Sequence, residues 1–183
     1  MRSFIAIPLP DEAGRALAPV QAALPLGRVV APENLHLTLA FLGHIPEAMV
    51  EEVHFALETL RHPGFEITLV GLDTFGGDRP TSLHILAAPD PALSALHKRI
   101  RSRLHGLGLT LERRRLVPHV TLARFARSMR PDEATRIGRF LAGHADIRLP
   151  PFRATSFCLY ESILTEAGAH YEVLARYPLA ARG

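Results

Sequence analysis

The chain has 183 residues, 48% of them hydrophobic and 21% charged, which is typical of a globular protein with one domain or two small lobes. Its single cysteine excludes an internal disulfide and a cysteine cluster for a metal, and no apolar run approaches the roughly 20 residues of a membrane helix. The net charge is +3, and nearly all the positive charge is arginine. Arginine suits phosphate and nucleic acid, and the alternative explanation is a compositional bias that favours arginine over lysine. We therefore expect a cytoplasmic, monomeric protein with one domain over residues 1–183 and no membrane association.

The first half of the chain alternates strands and helices. Apolar alternation over Ser3–Leu9 predicts a strand, and Asp11 is a good N-cap for the helix after it. The elements predicted next are a helix over Glu12–Leu24, a short strand over Arg28–Val30, a strand from His36, a helix over Pro46–Leu60, a strand over Phe65–Leu72 and a turn-rich loop over Thr74–Pro80.

The second half has a similar pattern. Its predicted elements are a strand over Ser82–Ala87, a helix over Pro89–Leu107, a strand from His119, a helix over Pro131–Leu141 and strands over Arg153–Tyr160 and Tyr171–Arg176. Strands and helices mix without strict alternation, which predicts an α+β fold with mainly antiparallel sheets flanked by helices. The similar surroundings of the two histidine strands indicate an internal duplication. We expect two lobes related by a pseudo-twofold axis, with a central cleft between them.

One short stretch occurs twice, as His36-Leu37-Thr38-Leu39-Ala40 and as His119-Val120-Thr121-Leu122-Ala123. Side chains alternate between the faces of a strand, so the imidazole and the hydroxyl of each copy point the same way. A polar pair on an apolar strand is costly to bury without partners. We interpret the repeat as two strands that face one cleft and supply two histidines to one reaction.

Two histidines suit an in-line displacement at phosphorus. Histidine titrates near neutral pH, so one ring can accept a proton from the nucleophile while the other protonates the leaving oxygen. The hydroxyls of Thr38 and Thr121 can donate to the non-bridging phosphate oxygens, and the scheme requires neither a metal nor a cofactor. The alternative is that each histidine is a satisfied sheet residue and each threonine a β-former. That alternative is favoured for one copy but not for a matched pair.

The residue five places after each histidine differs between the copies, being Phe41 in the first and Arg124 in the second. An odd offset puts this residue on the other face of an ideal strand, so only a bulge or a strand end would turn it towards the site. Arg124 could then hold a phosphate bidentately and Phe41 could stack on a base. The alternatives are a solvated arginine and a core phenylalanine.

Other residues give weaker signals. Arg113–Arg115 and Arg127–Arg130 flank the second copy and could follow an RNA backbone, although solvated surface explains them nearly as well. Gly76–Pro80 lacks the context of a phosphate-binding loop and is expected to be a hairpin loop, and Cys158 is expected in the core. The remaining histidines are expected on the surface or in loops; they are His44, His54, His62, His84, His97, His105, His144 and His170.

These residues carry a family resemblance that covers essentially the whole chain. The two His-x-Thr motifs, with Phe4–Pro8 near the start, resemble the 2H phosphoesterase superfamily. Within it, Asn34–Gly43 and Pro118–Arg124 resemble the bacterial and archaeal RNA 2′,3′-cyclic phosphodiesterases, which are also called 2′-5′ RNA ligases. Leu159–Ser162 and Tyr171–Leu174 are similar to the C-terminal hairpin of that family.

The resemblance implies a bilobal α+β fold and metal-independent opening of a terminal 2′,3′-cyclic phosphate to a 2′-phosphate, with 2′-5′ ligation as a possible reverse reaction. It implies that His36 is the acid and His119 the base, that Thr38, Thr121 and Arg124 hold the phosphate, and that Phe41 stacks on the terminal base. The implied partner is an RNA end, such as that of a tRNA half, or a nucleotide. Two alternatives stay open: a non-catalytic RNA-end or nucleotide-binding module, and an enzyme for small cyclic nucleotides or 2′-5′ oligoadenylates.

Overall fold

The computed structural model describes residues 1–111, 116–165 and 168–181. Within these residues the α+β class with antiparallel pairing is confirmed. The elements are β1 (Arg2–Pro8), α1 (Asp11–Ala22), β2 (Arg28–Val29), a 3₁₀ turn (Pro32–Asn34), β3 (His36–His44), α2 (Glu47–Glu58), β4 (Phe65–Ile67), β5 (Leu69–Phe75), β6 (Ser82–Ala87), α3 (Pro91–Gly106), β7 (His119–Arg124), α4 (Pro131–Gly143), β8 (Phe152–Ala154), β9 (Ser156–Thr165) and β10 (Gly168–Pro178). Among the helices described, none has the length and apolar character needed to cross a membrane.

One large antiparallel sheet has the strand order β10-β9-β1-β3-β7-β6-β5. The short strand β2 is not part of this order and pairs with β7. The halves of the sheet meet between β3 and β7, where Leu37 pairs with Val120. These two residues hold the same place in the two copies of the repeat, so a pseudo-twofold axis passes between them. A separate two-stranded sheet joins β4 to β8.

The two repeats exchange strands. With β2 set aside, each has the order β-α-β-α-β-β, the first from β1 to β5 and the second from β6 to β9. The last strand of each repeat pairs with the first strand of the other, β5 with β6 and β9 with β1. Each half of the large sheet therefore contains strands from both halves of the chain.

Two predicted strands are each divided into two strands that belong to different sheets. Phe65–Leu72 divides at Thr68 into β4 and β5, and the strand predicted over Arg153–Tyr160 divides at Thr155 into β8 and β9. In both cases the first piece joins the small sheet and the second the large one, because a strand that bends can change sheets. β5 also extends to Phe75 and so includes residues predicted to lie in the loop.

The helices cover one face of the large sheet. They bury Leu17, Val53, Leu96 and Ile137, one from each helix, in the same apolar cluster as Leu37 and Val120. Because successive side chains on a strand alternate, the histidines and threonines of the repeat point to the opposite face. On that face a smaller cluster of Phe4, Ala6, Cys158 and Tyr160 packs beneath the first repeat, and Cys158 is buried as predicted.

Candidate active site

A cleft of about 400 Å³ lies on the face of the sheet opposite the helices. The six residues predicted from the sequence all line it; they are His36, Thr38, Phe41, His119, Thr121 and Arg124. β3 supplies the first three and β7 the other three, so each copy of the repeat contributes one side of the cleft.

A β-bulge in each central strand directs the fifth position into this cleft. The pairing of β3 with β1 skips Leu39, and the pairing of β7 with β6 skips Leu122. Each bulge adds one residue to its strand and so reverses the alternation beyond it. Phe41 and Arg124 therefore lie on the same face as the histidines, as the odd offset required.

The two imidazoles are held by the same contact. The Nδ1 of His36 lies 2.7 Å from the carbonyl oxygen of Asn34, and the Nδ1 of His119 lies 2.7 Å from that of Val117. A carbonyl oxygen only accepts hydrogen bonds, so each Nδ1 carries the proton and donates it. In both rings this leaves Nε2 as the nitrogen that is able to exchange a proton.

Aromatic rings surround His36. Its ring centroid lies 4.9 Å from that of Phe4 and 5.1 Å from that of Tyr171, which stands nearly perpendicular to it. Burial is the main cause that lowers the pKa of His36 to about 4, and the positive charges of Arg124 and His119 act in the same direction. The hydrogen bond to the Asn34 carbonyl opposes this shift. His36 is consequently neutral at pH 7 in the free protein.

His119 lies against a third histidine. The ring of His84 is 4.9 Å from that of His119 and stacks on Phe75 at 4.2 Å. His84 is only 1% exposed, and neither of its ring nitrogens has a hydrogen-bond partner among the residues that the structure describes. Burial first, and then the charge of His119, lower the pKa of His84 to about 4.

The expected position on the surface or in a loop was therefore wrong for His84, which is buried within β6. His62 lies in the loop between α2 and β4 as expected, although it is only 6% exposed. His84 lies on β6 opposite Thr121, and directly opposed residues on paired strands share a face. Nothing in the local pattern of Ser82–Ala87 indicates this neighbour, because it is set by the order of the strands.

Two further cleft residues had no role assigned to them individually. Tyr171, on β10, covers His36, whereas its motif predicted only that it belongs to a hairpin. Asn34 uses its carbonyl for His36 and donates its side-chain Nδ2 to the carbonyl oxygen of Ala169 at 3.0 Å. The carbonyl is independent of side-chain type, so the sequence carries no signal for its role.

Of the arginine segments that flank the second copy of the repeat, the described residues do not line the cleft. Arg113–Arg115 lie outside the described residues. The guanidinium of Arg130 pairs with Asp132 at 3.4 Å and Glu133 at 3.7 Å at the start of α4, so its charge is engaged there. In the part of the chain that is described, no three His, Cys, Asp or Glu residues are grouped so as to hold a metal ion.

Residues 9–162 match the family model of the 2′-5′ RNA ligase superfamily. A protein of Escherichia coli K12 named RNA 2′,3′-cyclic phosphodiesterase is 30% identical over 97% of this chain and 96% of its own length. A protein of Methanocaldococcus jannaschii with the same name is 29% identical over 97% of this chain and 100% of its own. A third, from Geobacillus stearothermophilus, is 29% identical over 96% of this chain, which spans 56% of that relative.

Solved structures of other proteins have the same fold as this chain. A protein of Thermus thermophilus superposes with a TM-score of 0.82 at 25% identity, covering 100% of both chains. LigT of Escherichia coli, complexed with 3′-AMP, superposes with a TM-score of 0.75 at 28% identity, covering 97% of each chain. The family resemblance carried by the two motifs is thereby confirmed.

Proposed function

Since the chain belongs to the 2′-5′ RNA ligase superfamily, we propose that it hydrolyses the 2′,3′-cyclic phosphate at the end of an RNA to a 2′-phosphate. The observation that carries this proposal is the matched pair of histidines in one cleft, each with Nδ1 held by a backbone carbonyl and Nε2 left for proton transfer. A module that only bound the RNA end would need no such pair.

The reaction begins with attack of water on phosphorus, in line with the bond to the 3′ oxygen. The Nε2 of His119 accepts a proton from this water as the new P–O bond forms. The bond from phosphorus to the 3′ oxygen breaks, and protonated Nε2 of His36 donates its proton to that oxygen. The products are a 2′-phosphomonoester and a 3′-hydroxyl, and the histidines regain their starting states by exchange with solvent.

The other cleft residues bind the substrate. Thr38 and Thr121 point to the same face as the histidines, so their hydroxyls can donate to the non-bridging oxygens as negative charge builds there. Arg124 supplies a guanidinium to the same phosphate. Phe41 holds the place in the first repeat that Arg124 holds in the second, so it lies on the opposite side of the cleft. Its side chain is 58% exposed, and a base can stack on it.

The pKa of His36 adds a requirement to this scheme. An acid must hold a proton, but burial, together with the positive charge of Arg124, keeps His36 neutral in the free protein at pH 7. A bound phosphate brings negative charge next to the ring and raises its pKa. Under the proposed roles, His36 therefore takes up its proton together with the anionic substrate.

Structures of relatives support a nucleotide ligand. LigT of Escherichia coli has been crystallised with 3′-AMP, with NADP+, with ATP and with phosphate. The cleft of this chain combines an exposed aromatic ring with a cationic phosphate site, which are the two features such ligands need. By microscopic reversibility the same groups can also join RNA ends through a 2′-5′ linkage, although water at high concentration favours hydrolysis.

The activity is tested with an oligoribonucleotide that ends in a 2′,3′-cyclic phosphate. We expect a product with a 2′-phosphate, formed equally well in EDTA. His36→Ala and His119→Ala should each lower kcat by at least about 10²-fold, and the double variant should be little worse than either. His105→Ala is the matched control, because His105 is exposed on α3 and does not line the cleft. Undiminished turnover in either single variant would refute the mechanism.

The two roles are assigned with a substrate whose 3′ bridging oxygen is replaced by sulfur. A thiol has a pKa of about 8.5 and leaves without a proton far more readily than an alkoxide. The acid is then dispensable, so the sulfur substrate should restore much of the lost rate in His36→Ala but not in His119→Ala. Restoration in His119→Ala alone would exchange the roles.

A further inference from the structure

A second cavity, of about 490 Å³, adjoins the catalytic cleft, and we call it the outer groove. Arg28 and Val29 of β2 form one wall, and the start of β10, from Gly168 to Tyr171, forms the other. Val30, Asn34, Arg124 and Tyr171 line both cavities, so a ligand can run from one into the other.

The walls of the groove are fixed. On one side the side-chain Nε2 of Gln21 donates to the carbonyl oxygens of Val30 and Leu122, at 2.9 Å each, and ties β2 to β7. On the other side Asn34 donates to the carbonyl of Ala169 at 3.0 Å and ties the 3₁₀ turn to β10. The groove is thus formed by connected elements and not by a loop alone.

The described residues that line the groove include more positive than negative charge. Arg28 and Arg124 are directly opposite each other on paired strands, and like charges in that position repel. Among the described residues that line the groove Glu33 is the one carboxylate, and within the described part of the chain no ion pair joins it to either guanidinium. An anion between the two arginines would relieve the repulsion.

Gly168 allows Arg28 to lie where it does. This glycine has φ +127°, and a Cβ at its position would overlap the Arg28 guanidinium. The guanidinium therefore rests across the start of β10 and reaches over the groove. Val29, beside it, is 48% exposed and offers an apolar contact to a ribose or a base.

The chemistry of the substrate indicates which anion this is. A cyclic phosphate occupies the 2′ and 3′ oxygens of the last nucleotide, so the rest of an RNA can leave the cleft only through the 5′ oxygen and its phosphodiester. Phe41 and Arg124 are pseudo-twofold counterparts and lie on opposite sides of the cleft. With the terminal base at Phe41, the outer groove beyond Arg124 is open to the upstream phosphodiester.

We propose that the outer groove binds the phosphodiester immediately 5′ to the terminal nucleotide, with Arg28 as its cation, and that the protein therefore prefers oligonucleotides to single cyclic nucleotides. This inference rests on the proposed function. Arg28 lines the outer groove but not the catalytic cleft, so its contact exists only when a second nucleotide is present.

The test compares 2′,3′-cyclic AMP with the dinucleotide ApA that carries the same cyclic phosphate. We expect kcat/KM of the wild type to be about tenfold higher on the dinucleotide. Arg28→Gln should remove most of that advantage and change kcat/KM on cyclic AMP by less than about twofold. The dependence of kcat/KM on salt concentration for the dinucleotide should become weaker in Arg28→Gln, because one contact between a cation and a phosphate is lost.

Arg139→Gln is the matched control, because it removes the same charge from an exposed position of α4 that lines neither cavity. It should behave as the wild type on both substrates, and thermal denaturation should show both variants folded. Equal kcat/KM of the wild type on the two substrates would overturn the inference, and so would an equal loss on both in Arg28→Gln. Either result would leave the proposed function intact, whereas absence of turnover on both substrates in the wild type would overturn the proposed function itself.

Discussion

Replacement of His84 by leucine should change the pH dependence of stability. His84 is buried, and the pKa of its ring is about 4 in the folded protein, against an ordinary value near 6.5. Between these values the unfolded chain binds a proton that the folded chain excludes. The free energy of unfolding must therefore fall as the pH falls through this range.

The magnitude follows from the two pKa values. Linkage gives a loss of about 2 kcal/mol from His84 alone between about pH 7.5 and about pH 5. His84→Leu has no imidazole at this position, so its free energy of unfolding should not show this loss as the pH falls. At about pH 7.5 its stability should stay within about 1 kcal/mol of the wild type, because the lost ring contact with Phe75 opposes the gain from removing two unpartnered nitrogens.

Urea-induced unfolding at several pH values, followed by circular dichroism, measures the effect. His105→Leu is the control, since His105 is exposed and its replacement should leave the curve of the wild type unchanged. If the curves of His84→Leu and the wild type run parallel within about 0.5 kcal/mol, His84 does not exclude its proton in the folded state. The imidazole of His84 would then bind a proton equally well in the folded and the unfolded chain.

Three further predictions concern the cleft and its frame. At pH 7 the binding of a nucleoside 2′-phosphate should be accompanied by uptake of about one proton, and His36→Ala should lose this uptake. Calorimetry in buffers of different ionisation enthalpy measures the uptake, and equal heats of binding in all buffers would contradict the prediction. Phe41→Ala should raise KM about tenfold, since stacking contributes about 1–3 kcal/mol per base, and should leave urea unfolding nearly unchanged because the ring is 58% exposed. Gly27→Ala should lower the free energy of unfolding by about 2 kcal/mol, because φ of Gly27 is +103° and a Cβ would lie 2.7 Å from the Phe125 ring. Gly138 lies on α4 with open space around it, so Gly138→Ala should raise the free energy of unfolding by up to about 1 kcal/mol.

The sequence predicts which side chains of the two repeats line the cleft, because the relevant signals are local. The His-x-Thr spacing sets two side chains on one face of a strand, whatever the strand pairs with. The odd offset of Phe41 and Arg124 likewise demands a bulge if they are to join the site, and both bulges are present. A pattern within one strand is enough for these conclusions.

The surroundings of the site are less predictable because they depend on strand order. The alternation in Phe65–Leu72 continues across Thr68, so it does not reveal that the two pieces join different sheets. His84 is near His119 because β6 pairs with β7, and Arg28 faces Arg124 because β2 joins the same strand from its other side. Each of these contacts connects segments far apart in the chain.

The duplication explains why two like histidines meet, but not why they can act differently. In the twofold arrangement each Nδ1 donates to the carbonyl oxygen two residues before it, so this contact does not distinguish the two rings. The surroundings of His36 and His119 differ in the neighbours that the two repeats do not share. Among the described strands, β10 has no counterpart in the first repeat, and its Tyr171 covers His36 and also lines the outer groove. The strand outside the duplication thus distinguishes the two ends of the cleft, and under the proposed function it separates the acid from the base while it forms the path by which the RNA leaves.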